Sequence, residues 1–350
     1  MTTTFISTHY LATALLPSIA QTQSQLTSLE VEASTGKYAD IGLQLGPQSG
    51  YELSLKNEDD LMQTLTTSNT LVTTSLNTSQ AALDSIRSDA QSVVQSLTSW
   101  SQTEVNSGST LQSLGANALQ SLIATTNTTA NGQYVFGGVN SSVAPMNDYY
   151  SSTPSAAKTA IDQAFQTYFS FAPTDPAVST ITGPQMQSFL SGPFAAEFTG
   201  DNWTTNWSTA SSGNTTAQIA PGETIDTSTN ANQPGFQQLA EGYAMLSEFA
   251  GGQLSAPAQQ ALATTANSLI TQGVTSITAT EASVGTTLNR VTSANTSMAS
   301  QMTILQTEIG NLDNVNTTTA ATQLTALSTQ LQTAYQLTAD IQKLNLAQYL

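Results

Sequence analysis

The sequence predicts a mainly α fold: an elongated antiparallel helical bundle or coiled coil built from both termini, with an inserted α+β outer domain between the two halves. Three observations carry this. Apolar side chains step by three and four near both ends of the chain, two longer stretches further in repeat the step, and the texture between them changes abruptly. Steps of three and four place side chains on one side of an α-helix.

At the C-terminal end, from residue 317 to 350, Ala320, Leu324, Leu327, Leu331, Ala334 and Ile341 form the stripe, with Thr338 interrupting it and Leu337 and Leu344 widening it. A helix of about 34 residues would run roughly 50 Å, too long for one small domain to cover. The N-terminal end supplies a counterpart in Ala12, Leu15, Ile19, Leu26, Leu29 and Ala33, interrupted by Thr22. Residues 1–33 and 317–350 therefore read as a terminal helix pair. Burial against one partner does not offset the ordering of so long a helix, so further subunits are expected to close around it. The residues expected to carry subunit assembly are Leu15, Ile19, Leu26 and Leu29 on the first helix and Leu324, Leu327, Leu331, Ile341 and Leu344 on the last.

Between residues 33 and 50, Gly36, Gly42, Gly46, Pro47 and Gly50 argue for an ordered turn region or hinge. The four-three step then runs from Met62 through Leu65, Asn69, Val72, Leu76, Ser79, Leu83, Ile86, Ala90, Val93 and Leu97 to Trp100. Its length is that of a coiled-coil-like helix, and Asn69 and Ser79 on the seam either fix register or sit at a solvated edge. Glu58, Asp59 and Asp60 are expected to open this helix, where carboxylates suit the helix dipole. A shorter helical pattern follows through Leu111, Leu114, Ala118, Leu122 and Ile123.

From 131 to 252 the chain holds most of its proline, nearly all its phenylalanine, and both tryptophans other than Trp100. Turn pairs at Asn131-Gly132, Pro221-Gly222 and Pro234-Gly235 punctuate it. Residues 133–136 and 216–227 read as strands, 155–171 and 235–250 as helices. Trp203 and Trp207, one helical turn apart, are expected in the core of this insert. Helical pattern resumes after Pro257 and becomes regular at Val284, Leu288, Val291, Asn295, Met298, Met302, Leu305, Ile309 and Leu312, the antiparallel partner of the Met62–Trp100 stretch. Asp313–Thr319 breaks the stripe. The expected division is 1–33 with 317–350 as the inner assembly domain, 34–130 with 253–316 as a helical rod domain, and 131–252 as the outer domain.

Composition narrows the function classes. Only 8% of residues are charged and the net charge is -17, so a nucleic-acid backbone or an anionic membrane would be repelled. The absence of cysteine removes disulfides, thiol nucleophiles and thiolate metal sites. His9, the single histidine, lies at the start of a terminal helix with no nucleophile to serve. Gly132, Gly137 and Gly138 lack the spacing of a phosphate loop. The spacing of Asp201, Glu223 and Asp226 does not match a calcium loop. Neither a basic leader with an apolar core nor a membrane span is expected, since Pro17 interrupts the patch from Tyr10 to Ala20. The reading is a non-enzyme with no catalytic, metal or cofactor site, no nucleic-acid partner and no membrane partner. A different class, a glycan-binding insert, is motivated by Trp203, Trp207, Tyr149 and Tyr150.

The palindromic layout, the ASTGKYADIGLQLG turn, the NGQYVFGG segment at 131–138 and the tail from Leu312 onward resemble the bacterial flagellin superfamily. Ser34-Thr35-Gly36-Lys37, the Gly-x-Tyr-x-Phe-x-Gly entry at 132–138 and the IAPGETIDTSTNANQPGF segment are similar to its hook-filament junction branch more than to filament flagellins. Asn314-Val315-Asn316 departs from the acidic triplet usual there. The resemblance implies a structural subunit exported without signal cleavage through a type III channel, polymerising on itself and contacting other hook-associated and flagellin subunits. It also implies an export chaperone and an extracellular place on the flagellum.

Overall fold

The computed structural model describes residues 8–100, 107–151, 153–251 and 253–343. It is mainly α, with long helices contributed by both ends of the chain. In order these are α1 (Thr8–Thr35), α2 (Ile41–Leu45), α3 (Ser49–Ser99), α4 (Ser107–Thr126), strands β1 (Thr129–Ala130) and β2 (Gln133–Tyr134), α5 (Ala156–Phe169), α6 (Gly183–Phe189), α7 (Gly200–Asn202), strands β3 (Thr216–Ala220) and β4 (Glu223–Asp226), α8 (Pro234–Phe249), α9 (Ala256–Asp313) and α10 (Thr317–Lys343). The chain divides into two compact units, Met1–Gln63 with Ala299–Leu350 and Thr64–Met298.

In the first unit α1 packs along α10. Gly36, in the left-handed region at φ 72°, ends α1, because only glycine takes that conformation without a Cβ clash. The chain then pairs briefly with the break between α9 and α10. Val315 N–H donates to Gly36 C=O at 2.9 Å, and Tyr38 N–H donates to Asp313 C=O at 3.0 Å. Asn316 caps α10, its side-chain oxygen accepting from the amides of Thr318 at 3.0 Å and Thr319 at 3.1 Å. The break is therefore shorter than the expected Asp313–Thr319, since Asn316 is a helix-starting residue and threonine is tolerated in the turns that follow.

Beneath this joint lies an ion triad. The Asp313 carboxylate is fully buried and meets the Lys56 ammonium at 2.8 Å, while Glu52, one turn away on α3, contacts the same ammonium. Asp313 first, and Glu52 second, hold the Lys56 ammonium above the ordinary lysine range. Alongside, Tyr51 donates to Glu308 at 2.8 Å and Gln306 to Asp59 at 3.2 Å, so α3 and α9 run antiparallel here. One expectation is corrected: α3 opens at Ser49, well ahead of Met62, and Glu58–Asp60 lie inside it. The first-turn acid is Glu52. Gly42, Gly46 and Pro47 turn the chain only briefly, through α2 and a single 3-10 turn at Gly46–Gln48.

The second unit is organised around α8, in which every third and fourth residue and most of those between are buried. Two helices reach it through glycines. On α4, a Cβ at Gly115 would stand 2.5 Å from Leu246 Cβ; on α8, a Cβ at Gly242 would stand 2.6 Å from Ile270 of α9. Substitution at either position would force the helices apart. Around them, Phe165, Phe189, Phe194 and Phe249 form a ring cluster with centroids 5.3 to 5.9 Å apart. Trp203 and Trp207 are buried as expected, Trp207 stacking on Tyr149 at 5.1 Å and on Trp203 at 5.9 Å. The Trp203 indole N–H donates to Asn232 Oδ1 at 2.9 Å.

Among the described residues the named strands form two short hairpins. Asn131 and Gly132 both have positive φ, 53° and 76°, which matches the twist of a two-residue turn between β1 and β2. Pro221-Gly222 turns β3 into β4 with Gly222 at φ 76°. On the seam of α3 and α9, Asn69 is fully buried and donates both to Asn295 Oδ1 at 2.7 Å and to Ile219 C=O of β3 at 2.8 Å. It is a cross-element link that only one register satisfies. Ser79, by contrast, donates to Ser75 C=O on its own helix at 3.0 Å and specifies nothing across the seam.

Two outcomes follow from these buried charges. Burial pushes the Glu241 carboxyl of α8 up to about 7 from an ordinary 4.5. Ionisation is thus disfavoured in the folded state, and the stability this group permits at low pH is lost as pH rises from 4.5 to 7. Glu241→Gln should leave the melting temperature unchanged near pH 4 and stabilise by about 3 kcal/mol at pH 8, which thermal denaturation at the two pH values measures. Lys56→Met strands the Asp313 carboxylate; because Lys56 keeps 36% of its side chain in solvent, the cost should be about 1 to 3 kcal/mol, below that of a wholly buried pair. Hydrogen exchange at the Tyr38 and Val315 amides should accelerate, and adding Asp313→Asn should slow it again.

Candidate assembly surface

The surface is built from α1 and α10. Along their shared seam Ile19 is buried at 8% exposure, while Leu15, Leu26, Leu29, Leu324, Leu327, Leu331 and Ile341 are half-buried. Of the residues expected to carry assembly, these eight are placed on the two packed helices, and Leu344 lies outside the described residues. Each helix covers the other along one line only. Leu16, Val31, Tyr335 and Leu337 stand outside it, between 42% and 58% exposed. Gln23 of α1 donates to the Tyr335 hydroxyl of α10, a polar crosslink at the margin of the seam.

Charge is sparse on this surface. Within α10 only Asp340 and Lys343 are charged, and within α1 only Glu30 and Glu32 carry carboxylates. Threonine replaces charge. The hydroxyls of Thr322, Thr325, Thr329 and Thr333 each donate to the carbonyl four residues back, at 2.8 to 2.9 Å. The oxygen is thereby satisfied within the helix, and the methyl group remains to pack. With Ala33 and Ala321, several of these threonines line a shallow groove of 810 Å³. A surface of methyl groups and small side chains with few charges is what the centre of a protein interface requires.

A second groove, of 620 Å³, lies on the same unit between Leu29, Leu327, Tyr38 and Leu43, rimmed by Glu32 and Asp40. Leu43 is 85% exposed. Sequence reasoning assigned it to a turn; its apolar bulk in the segment after Gly36 was the signal available. His9 falls on α1, with its side chain outside the described residues. Among the described residues no group of three acidic or histidine side chains is arranged to hold a metal ion, and no helix is long and apolar enough to cross a membrane. Glu223, one of the acids considered for a cation, instead accepts from Arg290 at 2.8 Å.

Comparison with known proteins bears on this surface directly. Residues 6–141 match the model of the bacterial flagellin N-terminal helical region, and residues 268–350 match that of the bacterial flagellin C-terminal helical region. Together the two matches span well over half of the chain and include both α1 and α10. No curated protein sequence matches significantly. Among solved structures, a candidate flagellar hook-associated protein from Vibrio parahaemolyticus shares the fold with a TM-score of 0.52, at 12% identity over 76% of this chain and 97% of that one. The two terminal helices that pack in the first unit thus fall within the two matched regions, and this chain belongs to the bacterial flagellin superfamily, whose members are structural subunits of the flagellum.

Proposed function

We propose that this flagellar subunit joins hook to filament, in the manner of hook-associated protein 3, and that it polymerises through α1 and α10. The observation that carries the assembly role is the half-buried seam: Leu26, Leu29, Leu324, Leu327 and Leu331 remain partly exposed on helices nearly free of charge. Closing such positions yields about 1.5 to 3 kcal/mol for each large aliphatic side chain brought from solvent to full burial, and proportionately less from a half-buried start. Further copies of this chain, together with other hook-associated and flagellin subunits, are the partners of that chemistry. The junction assignment draws on the 131–138 entry motif and on the hook-associated description of the structural relative.

In this reading residues 1–33 with 317–350 form the inner assembly layer, 34–130 with 253–316 the helical layer, and 131–252 the outer domain. The subunit leaves the cell through the type III channel with an export chaperone and performs no catalysis. Burial of Trp203, Trp207 and Tyr149 withdraws three of the four aromatics that motivated a glycan site at those residues.

Leu327→Ser together with Leu331→Ser should abolish incorporation into flagella while leaving the circular dichroism of the second unit's helices and its melting temperature within error of wild type. Normal incorporation of the double variant would refute the assembly role. Deletion of the gene separates the junction from a filament role: flagellin released into the medium with hooks intact supports the junction, whereas short or soft filaments assign the chain to the filament itself.

A further inference from the structure

The second unit carries a groove that the assembly reading leaves unused. It has a volume of 920 Å³ and runs between one face of α5 and residues 193–206, a size within the range of small-molecule sites. The floor on the α5 side is shallow because Ala156, Ala160 and Ala164 follow one another at helical spacing. Around that floor stand side chains of one chemical kind: the amides of Gln163, Asn202 and Asn206, the hydroxyl of Thr167, the carboxylate of Glu197 and the phenol of Tyr168. The side chains of Gln163, Glu197 and Asn206 make no hydrogen bond or ion pair among the described residues, so their donors and acceptors are available to a ligand.

The walls are held from behind. Trp203 and Trp207 are anchored in the core, which leaves the neighbouring Asn202 and Asn206 to line the groove. Asn147 fixes the far wall, its side chain donating to Asn206 C=O at 3.0 Å and its amide to Trp207 C=O at 2.9 Å. Phe194 and Phe198, both fully buried, flank Glu197 and place it at the rim. Burial raises the Glu197 carboxyl above its ordinary range, which marks a carboxylate partly withdrawn from water. Tyr168 is 42% exposed, its ring backed by Phe169 at 4.8 Å and Phe189 at 5.6 Å. A rigid, half-exposed aromatic ring beside unpaired amides and a carboxylate fits a ligand that offers C–H faces and many hydroxyls at once. An acidic ligand is disfavoured by Glu197 and by the chain's net charge of -17.

We propose that the groove between α5 and residues 193–206 binds a neutral carbohydrate, with Tyr168 as the stacking platform and Gln163, Glu197 and Asn206 as hydrogen-bonding partners. The site is separate from Trp203, Trp207, Tyr149 and Tyr150, the first three of which are core. It is independent of the assembly role, and either can fail without the other.

Saturation-transfer NMR on the full chain with maltotriose and with N,N′,N″-triacetylchitotriose tests this, with sialyllactose as the acidic counterpart. The expected result is saturable transfer to at least one neutral trisaccharide, weakened at least tenfold by Tyr168→Ala and by Glu197→Gln, and little transfer to sialyllactose. Glu197→Gln keeps the shape of the groove and so reports on contact where Tyr168→Ala alters packing. The proposal is overturned by no transfer to either neutral sugar, by transfer that both variants leave unchanged, or by equal binding of sialyllactose.

Discussion

The first unit depends on one short stretch of backbone pairing, in which Val315 donates to Gly36 and Tyr38 donates to Asp313. It is the point where the two ends of the chain are tied, although some 280 residues separate them by the numbering. Closing so long a loop carries a large entropic cost, and two hydrogen bonds in solvent would contribute little against it. The tie holds because other contacts share its location. Asp313 is buried next to Lys56, Gly36 supplies the left-handed turn that frees its carbonyl, and Asn316 starts α10 immediately beyond. Each of these groups would be poorly satisfied if the two breaks were apart, so the joint forms as a set.

Low charge sets the second theme. With 8% of residues charged, an ordinary exposed helix face would lack the polar groups that keep it in water. Threonine and serine take that place, and along α3, α9 and α10 their hydroxyls repeatedly donate to the carbonyl four residues back. Such bonds leave a surface that is polar enough for a subunit in solution and apolar enough, through its methyl groups, to pack against another helix. Salt would screen little on α10, which holds only Asp340 and Lys343. Contacts made by this surface must rest on shape.

Periodicity read well wherever a helix buries one continuous stripe. The long stretches of α3, α9 and α10, and the asparagine on the α3 seam that meets Asn295, were legible for that reason. Turn chemistry located the turns of both hairpins, because Asn131, Gly132 and Gly222 take positive φ that few other residues accept, but β1 at Thr129–Ala130 was not anticipated and β2 is shorter than the expected 133–136. The start of α3 was missed, since Gly46, Pro47 and Gly50 look like breakers, yet proline and glycine are tolerated at a helix start where amide partners are absent anyway. Gly115 and Gly242 illustrate the opposite failure. A glycine inside a helical pattern reads as a weakness, and only the facing Leu246 and Ile270 show that it is a point of close approach. The groove beside α5 was illegible for a third reason: its walls come from segments that the sequence separates and that no period links.

The two units differ in how completely they are packed, and that difference separates stability from assembly. In the second, Phe136, Phe198, Trp203, Phe236 and Leu239 have no exposed surface, and α8 is covered by glycine-mediated approaches on two sides. The core around α8 is closed, although Leu71, Val139 and Val143 stand exposed elsewhere on that unit. In the first, Ile19 and Ala320 are buried, while Leu15, Leu26, Leu29, Leu324, Leu327, Leu331 and Ile341 stay half open. A helix pair with a fully covered seam would be stable alone and would gain nothing from a neighbour. A pair left half covered is marginal by itself, and its stability then depends on the concentration of subunits around it. The same leucines that weaken the isolated pair are those whose burial by another subunit would hold it, so the incompleteness of the first unit would be the physical basis of the assembly role proposed for α1 and α10.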